Sequence, residues 1–207
     1  MIPATMPSPI GHALGGIAVA TLADLLPGRP VARLPLTLAC AGLATFPDLD
    51  LLLPIAHRTA THSVGAVVAV TIIAAAVTGK VTGKRSEEDG TAGVQEGRRP
   101  RLRIALTCGA AYASHLLLDW LQADPTPPRG LQVLWPISST WFISGWNVFR
   151  ATERRQFLAW AVMGRNALAV VQELAILVPV VVSLWLVRVK ALARLAAELA
   201  GGHHPAQ

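Results

Sequence analysis

Charge is what this chain has least of. Only 14% of its 207 residues are charged, and 12 of them are acidic, where a soluble domain carries about 25% charged residues. With 53% hydrophobic residues and a mean hydropathy of +0.48, the shortage points to lipid rather than water as the main solvent. Cysteine is almost missing. Cys40 and Cys108 both lie in apolar stretches, and their spacing excludes a zinc ribbon or a redox pair, so both read as buried small hydrophobes. The opening MIPATMPSP lacks a basic segment, which argues against a cleavable signal and leaves insertion to the spans themselves. No internal repeat, heptad array or long soluble segment is evident. One membrane-embedded domain over residues 1–199 is expected, with residues 200–207 a disordered tail.

A bilayer core of about 30 Å takes roughly 20 apolar residues of helix. The clearest candidates are 166–187, 104–121 and 63–79. Segments 12–26 and 34–46 are shorter and are interrupted by Pro27, Pro30 and Pro35. They suit a tight helical hairpin or a re-entrant pair. The reading is therefore an all-α, polytopic transmembrane bundle of about five segments. Residues 80–103 form a polar, flexible cytoplasmic loop. The stretch 123–150, rich in Pro and Trp, suits the membrane interface before the last helix, where indole rings sit.

The net charge of +6 resides in short basic runs between apolar segments, a topology signal rather than a nucleic-acid stripe, so no nucleic acid is expected. Arg29 and Arg33 fall in the turn 27–34. Lys80, Lys84, Arg85, Arg98, Arg99, Arg101 and Arg103 fall in 80–103. Positive-inside places both loops in the cytoplasm. Arg150, Arg154, Arg155 and Arg165 argue against this, and Arg188, Lys190 and Arg194 offset them. The expected arrangement is N-terminus out, C-terminus in.

Alternation of spans has a consequence that hydropathy did not require. His12 opens the first segment, Asp48 and Asp50 follow the second, His57 and His62 precede the third, and His115 and Asp119 close the fourth. All seven then meet at one membrane face. His115 and Asp119, four apart, share a helix face. Asp48 and Asp50, two apart, converge only in an irregular turn, so one alone is expected to bind directly if the turn is regular. Singly, each His is more often a cap or an interfacial residue than a ligand, and His115 with Asp119 could be just a hydrogen-bonded pair. Together they are harder to dismiss, since an ionisable group within a span costs roughly 2.5–3.5 kcal/mol.

Imidazole with carboxylate suits Zn²⁺, with Mn²⁺ or Fe²⁺ as alternatives. Seven candidates exceed one tetrahedral site, so one or two ions are expected, activating water against a phosphoester. Asp48 or Asp50 is the candidate base, and Arg58 a candidate partner for a phosphate oxygen. Glu173, mid-span, is either an interhelical hydrogen-bonding group with Gln172 or a contact to the cluster. Arg165 and Asn166 are secondary candidates. Trp135, Trp141 and Trp146 read as interfacial anchors, or as the floor of a lipid-facing groove.

The ordered series SPIGHALGG, FPDLDLL, HRTATHS, ASHLLLDWL and LWPIS, with GWNVF and RNALAVVQE beyond it, resembles the YdjM-like membrane-bound metal-dependent hydrolases of bacteria. The resemblance runs from about Ser8 to Trp185. It implies an α-helical protein of the inner membrane, and His12, Asp48, Asp50, His57, His62, His115 and Asp119 as the functional set. The family's His-xxx-Asp helix is similar to that of bacterial zinc phospholipase C. Family members often place Thr and Gly soon after that Asp, whereas DWLQADPTPPRG is longer and Pro-rich. The resulting expectation is hydrolysis of an ester, most plausibly a phosphoester of lipid or envelope origin, at an extracytoplasmic site. The rival is a metal-stabilised scaffold or a transporter of metal or small solute. Membrane lipid is the expected partner; the oligomeric state stays open.

Overall fold

The computed structural model describes residues 5–26, 31, 33–52, 57–88, 98–125, 127–153 and 158–201. The described residues form five α-helices: α1 (Pro9–Ala23), α2 (Leu34–Thr45), α3 (Val64–Glu88), α4 (Arg98–Leu121) and α5 (Trp160–Gly201). Two 3-10 segments, Phe46–Leu52 and Ala60–His62, lie between α2 and α3. A short antiparallel pair, β1 (Thr5–Met6) with β2 (Thr152–Glu153), ties the residues before α1 to those before α5. The helical class expected from hydropathy is thus observed. By length and apolar composition, Arg99–Leu121 and Trp160–Arg194 are long enough to cross a membrane, while Pro9–Ala23 and Val64–Lys80 are apolar but shorter.

Helix limits follow local chemistry. Ser8 caps α1, its hydroxyl accepting from Gly11 N at 3.2 Å, and Pro9 fills the first helical position, where a missing N–H is no loss. That cap starts α1 three residues before the apolar run at 12–26. The polar stretch 80–103 is less irregular than its composition implies. α3 continues to Glu88 and α4 begins at Arg98, because Lys, Arg and Glu sustain a helix well. The remainder of that loop, residues 89–97, lies outside the described residues, as do Pro27, Pro30, Arg29, Arg154, Arg155 and the tail from 202.

Side-chain contacts fix the directions. His12 meets Asp119 at one end of α1 and α4, while Arg103 donates to the Ala23 carbonyl at the other; the two helices are antiparallel. Cys40 faces Ala111 and Ala20 in a small core. α5 runs alongside α1 in the same sense, with Glu173 at Ser8 and Arg188 pairing with Asp24 at 2.8 Å. The bundle therefore alternates up and down.

Its interior holds few large apolar residues. The fully buried core is Ala20, Cys40, Ala44, Ala105, Ala111 and Ala169 with Tyr112 and Leu131, whereas Leu38, Ile72, Ile73 and Val171 are more than 60% exposed. Small residues inside and large ones outside suit helices packing in lipid, where close backbone approach replaces the hydrophobic effect. Gly16 is where α1 and α2 come closest: a Cβ there would stand 2.7 Å from the Cys40 carbonyl carbon and 2.9 Å from Ala44 Cβ. Gly16→Ala is expected to lower the thermal midpoint in detergent, by the equivalent of about 1–3 kcal/mol. Gly42→Ala, which meets nothing within 4 Å, should leave it unchanged or raise it.

Candidate metal centre

Three kinds of local structure deliver the polar side chains. His12 sits in the first turn of α1. The 3-10 segment after α2 turns about 120° per residue, so Asp48 and Asp50 point to different neighbours although both are buried. Residues 57–63 reverse the chain into α3, with Arg58 at φ 63° and the Ser63 hydroxyl bonding Ala60 O and Ala66 N. His115 and Asp119 project together from the last turns of α4, Nε2 to Oδ2 at 3.3 Å.

All seven residues singled out by sequence converge. Nε2 of His62 and Nε2 of His115 stand 3.0 Å apart, and each lies 3.3–3.6 Å from both Oδ1 of Asp48 and Oδ2 of Asp119. Donors about 2.05 Å from a central ion stand about 3.3 Å apart at the corners of a tetrahedron. The residues present therefore have the donor types and the separations that a shared divalent ion needs. His12 lies beside this set, its ring stacked on His115 at 3.8 Å and its Nε2 3.5 Å from Asp119 Oδ1. Two triads each bring their donor atoms within 4.8 Å of one another: His12, His115 and Asp119, and Asp48, His57 and His62.

Neighbouring acceptors turn the rings inward. His115 Nδ1 lies 2.8 Å from the Ala44 carbonyl, which can only accept, so Nδ1 carries the proton and Nε2 offers its lone pair. His57 Nδ1 donates to Asp50 Oδ1 at 2.6 Å. The Thr61 hydroxyl donates to Asp50 Oδ2 at 2.7 Å and stands 2.9 Å from His62 Nδ1, from which it accepts. Asp50 thus supports His57, Thr61 and His62 from behind. Holding the outer nitrogen in this way is how metal-ligating imidazoles are oriented. The contacts to Ala44 and Thr61 were beyond sequence reasoning, as was which of Asp48 and Asp50 takes the supporting place. No spacing rule ties His115 to a backbone carbonyl on α2.

Burial makes the charge balance severe. Three carboxylates, Asp48, Asp50 and Asp119, are at most 8% exposed, and buried anions require cations or protons. Burial pulls His62 toward the neutral form, but contacts with Asp48 and Asp50 and the charge of Asp119 outweigh it and raise its pKa to about 9. Burial likewise favours protonation of Asp50, yet hydrogen bonds from His57, His62 and Thr61 hold its pKa below the usual carboxylate range. The surroundings favour positive charge at their centre. Both ring nitrogens of His12, His57 Nε2 and both Asp119 oxygens make no hydrogen bond. Donors left this way at the focus of a polar cluster match a bound cation.

Four other candidates serve elsewhere. Arg58, expected to meet a phosphate oxygen, gives its guanidinium to Asp124 at 2.5 Å, both nearly buried. Asp124 also accepts from Gly130 N, so this pair fastens residues 57–63 to those after α4. Arg165 pairs with Glu153, and Asn166 holds the Glu153 backbone; both secure β2 to α5. Glu173 accepts from the Ser8 amide at 2.8 Å and bonds its hydroxyl. Of the two readings of Glu173, this is the interhelical one. Gln172 instead bonds Arg150 N and Val148 O.

A family model described as YdjM inner membrane protein matches residues 6–195. The chain belongs to that family. Comparison with curated proteins and comparison with solved structures each returned no match. Family membership supplies the inner-membrane setting that the exposed apolar surface suggests, and the matched range contains every residue of the cluster.

Removing one member of a buried ion pair typically costs about 3–5 kcal/mol. Arg58→Ala should therefore lower stability by about that much in a detergent melt. Combining Arg58→Met with Asp124→Asn should recover much of the loss, an outcome that a phosphate-binding role for Arg58 would not produce.

Proposed function

We propose that the chain is a multi-pass inner-membrane hydrolase. Its cluster holds divalent metal, Zn²⁺ by preference, and acts on a phosphoester or related ester of lipid or envelope origin. The observation that carries this reading is the close donor set made by His62, His115, Asp48 and Asp119. When bound, such an ion supplies Lewis acidity and an activated water at neutral pH.

The chain's own groups have distinct parts. His62 and His115 present Nε2 lone pairs, while Asp48 and Asp119 supply negative charge around the same point. Asp50 positions His57 and His62. Among the cluster's side chains, His57 at 18% and Asp48 at 8% are the exposed ones. Water and a polar headgroup would enter on that side. Three carboxylates outweigh one divalent ion by one charge, whereas two ions leave one positive charge, which an anionic substrate offsets.

Alternating helices put Arg103 and Arg188 at the opposite end of the bundle, beside Ala23 and Asp24. Positive-inside then supports an extracytoplasmic cluster with five segments crossing or entering the bilayer.

One observation favours the scaffold alternative. Four protein donors on a single ion would leave no open position, the pattern of a structural ion. Against it, His12 Nε2 and His57 Nε2 lie outside that set and have no hydrogen-bond partner, donors a single structural ion does not need. Elemental analysis of detergent-purified protein separates the two. Two ions per chain with phosphodiesterase turnover support hydrolysis; one ion and no turnover across a phosphodiester and ester panel support a scaffold.

His115→Ala should lose stoichiometric metal while still inserting. Asp50→Asn should keep metal but bind it about 10–100-fold more weakly, the usual effect of losing a supporting partner. Wild-type protein without stoichiometric Zn, Mn or Fe would end the enzyme reading.

A further inference from the structure

Outside the cluster, an apolar groove of about 450 Å³ lies at the same end of the bundle. Val64 and Val67 of α3, Leu117 and Trp120 of α4, and Val133 and Phe142 of the segment after α4 line it. That segment is built onto the helix ends: Val64 N donates to Val133 O, Leu131 and Phe142 exchange backbone hydrogen bonds, and Ser144 N donates to Trp120 O. The groove therefore has a fixed roof rather than a loose loop. Its volume falls within the range of small-molecule sites, about 300–1,000 Å³.

We propose that this groove holds an acyl chain of the lipid whose polar head is presented to the cluster. The proposal rests on the hydrolase reading and adds the substrate class, a membrane lipid rather than a soluble ester.

Three observations support it. The open side is continuous with the lipid-facing surface, since Val64, Val68, Ile72 and Leu117 are about half exposed or more. In an inner-membrane protein, hydrocarbon is what meets such a surface. The groove also lies at the level of the cluster. Its lining residues Val64, Leu116 and Trp120 stand next to or two residues from His62, His115 and Asp119. A single layer separates the two: Tyr112 packs with Leu116, Val67 and Trp120, and its hydroxyl donates to the carbonyl of Thr61, which precedes His62. A chain lying along α3 and α4 would thus bring its headgroup to the rim that carries the metal donors.

Two measurements test this in the full-length purified protein. The first reconstitutes it with phosphatidylglycerol bearing a diazirine in one acyl chain and maps the photo-crosslinks. Labelling should concentrate on 64–67, 113–120 and 133–142, and Leu117→Trp, which fills the groove from its open side, should cut it about tenfold, as occlusion of a lined pocket predicts. Ile72→Trp, on the exposed face of α3 that carries Val64 and Val68 but outside the lining, should not. Labelling spread evenly over the apolar faces of α3, α4 and α5 would mean ordinary annular lipid and overturn the proposal. The second compares turnover of phosphatidylglycerol with long and with six-carbon chains in mixed micelles. A preference for long chains that Leu117→Trp erases supports the proposal, and equal rates in the wild type overturn it. No turnover at either length would remove phosphatidylglycerol as the substrate, while the crosslink map still decides whether lipid occupies the groove.

Discussion

Three carboxylates held together away from water set the terms for the rest of this structure. Each would repel the others and forfeit its hydration, a penalty of several kcal/mol per ion. Asp48, Asp50 and Asp119 tolerate one another because four imidazoles interleave with them. The raised pKa of His62 expresses the same demand for positive charge. A divalent cation meets that demand more fully than a proton, since it engages several donors at once. The helices can then be seen as the means of bringing anions together against their own repulsion.

Short helices and small residues follow from that task. α1 and α2 fall short of a full bilayer crossing, and their close approach at Gly16 lets His12 and the Ala44 carbonyl flank the same ring of His115. On the other side of α1, Glu173 closes over Gly11, where a Cβ would stand 2.6 Å from its carboxylate oxygen. Large apolar side chains, displaced from the interior, form the outer surface instead.

Much of this was legible in the sequence, for a reason that can be stated. Charged residues are so rare here that each one near a span carries information, and alternation of spans turns their order along the chain into a position along the membrane normal. That logic brings His12, Asp48, Asp50, His57, His62, His115 and Asp119 to one end, where the structure places them. The same logic says nothing about azimuth. Arg58 and Arg165 were near in sequence or height but point to Asp124 and Glu153. Asp124 itself, in the Pro-rich segment, gave no periodic signal, since its partner lies 66 positions away. The length of α3 beyond Lys80 was concealed because polarity was read as disorder, although the residues concerned are good helix formers.

The donors come from four separated stretches of chain: the start of α1, the turn after α2, the turn before α3 and the end of α4. None of them lies on α5. An ion held there could be fully coordinated only after the fourth helix had joined the first, whereas the Asp24–Arg188 pair and the Ser8–Glu173 bonds must wait for the fifth. Metal loading, on the proposed reading, would thus report that four helices have found their order. The last helix acts as a clasp that fastens an already assembled centre.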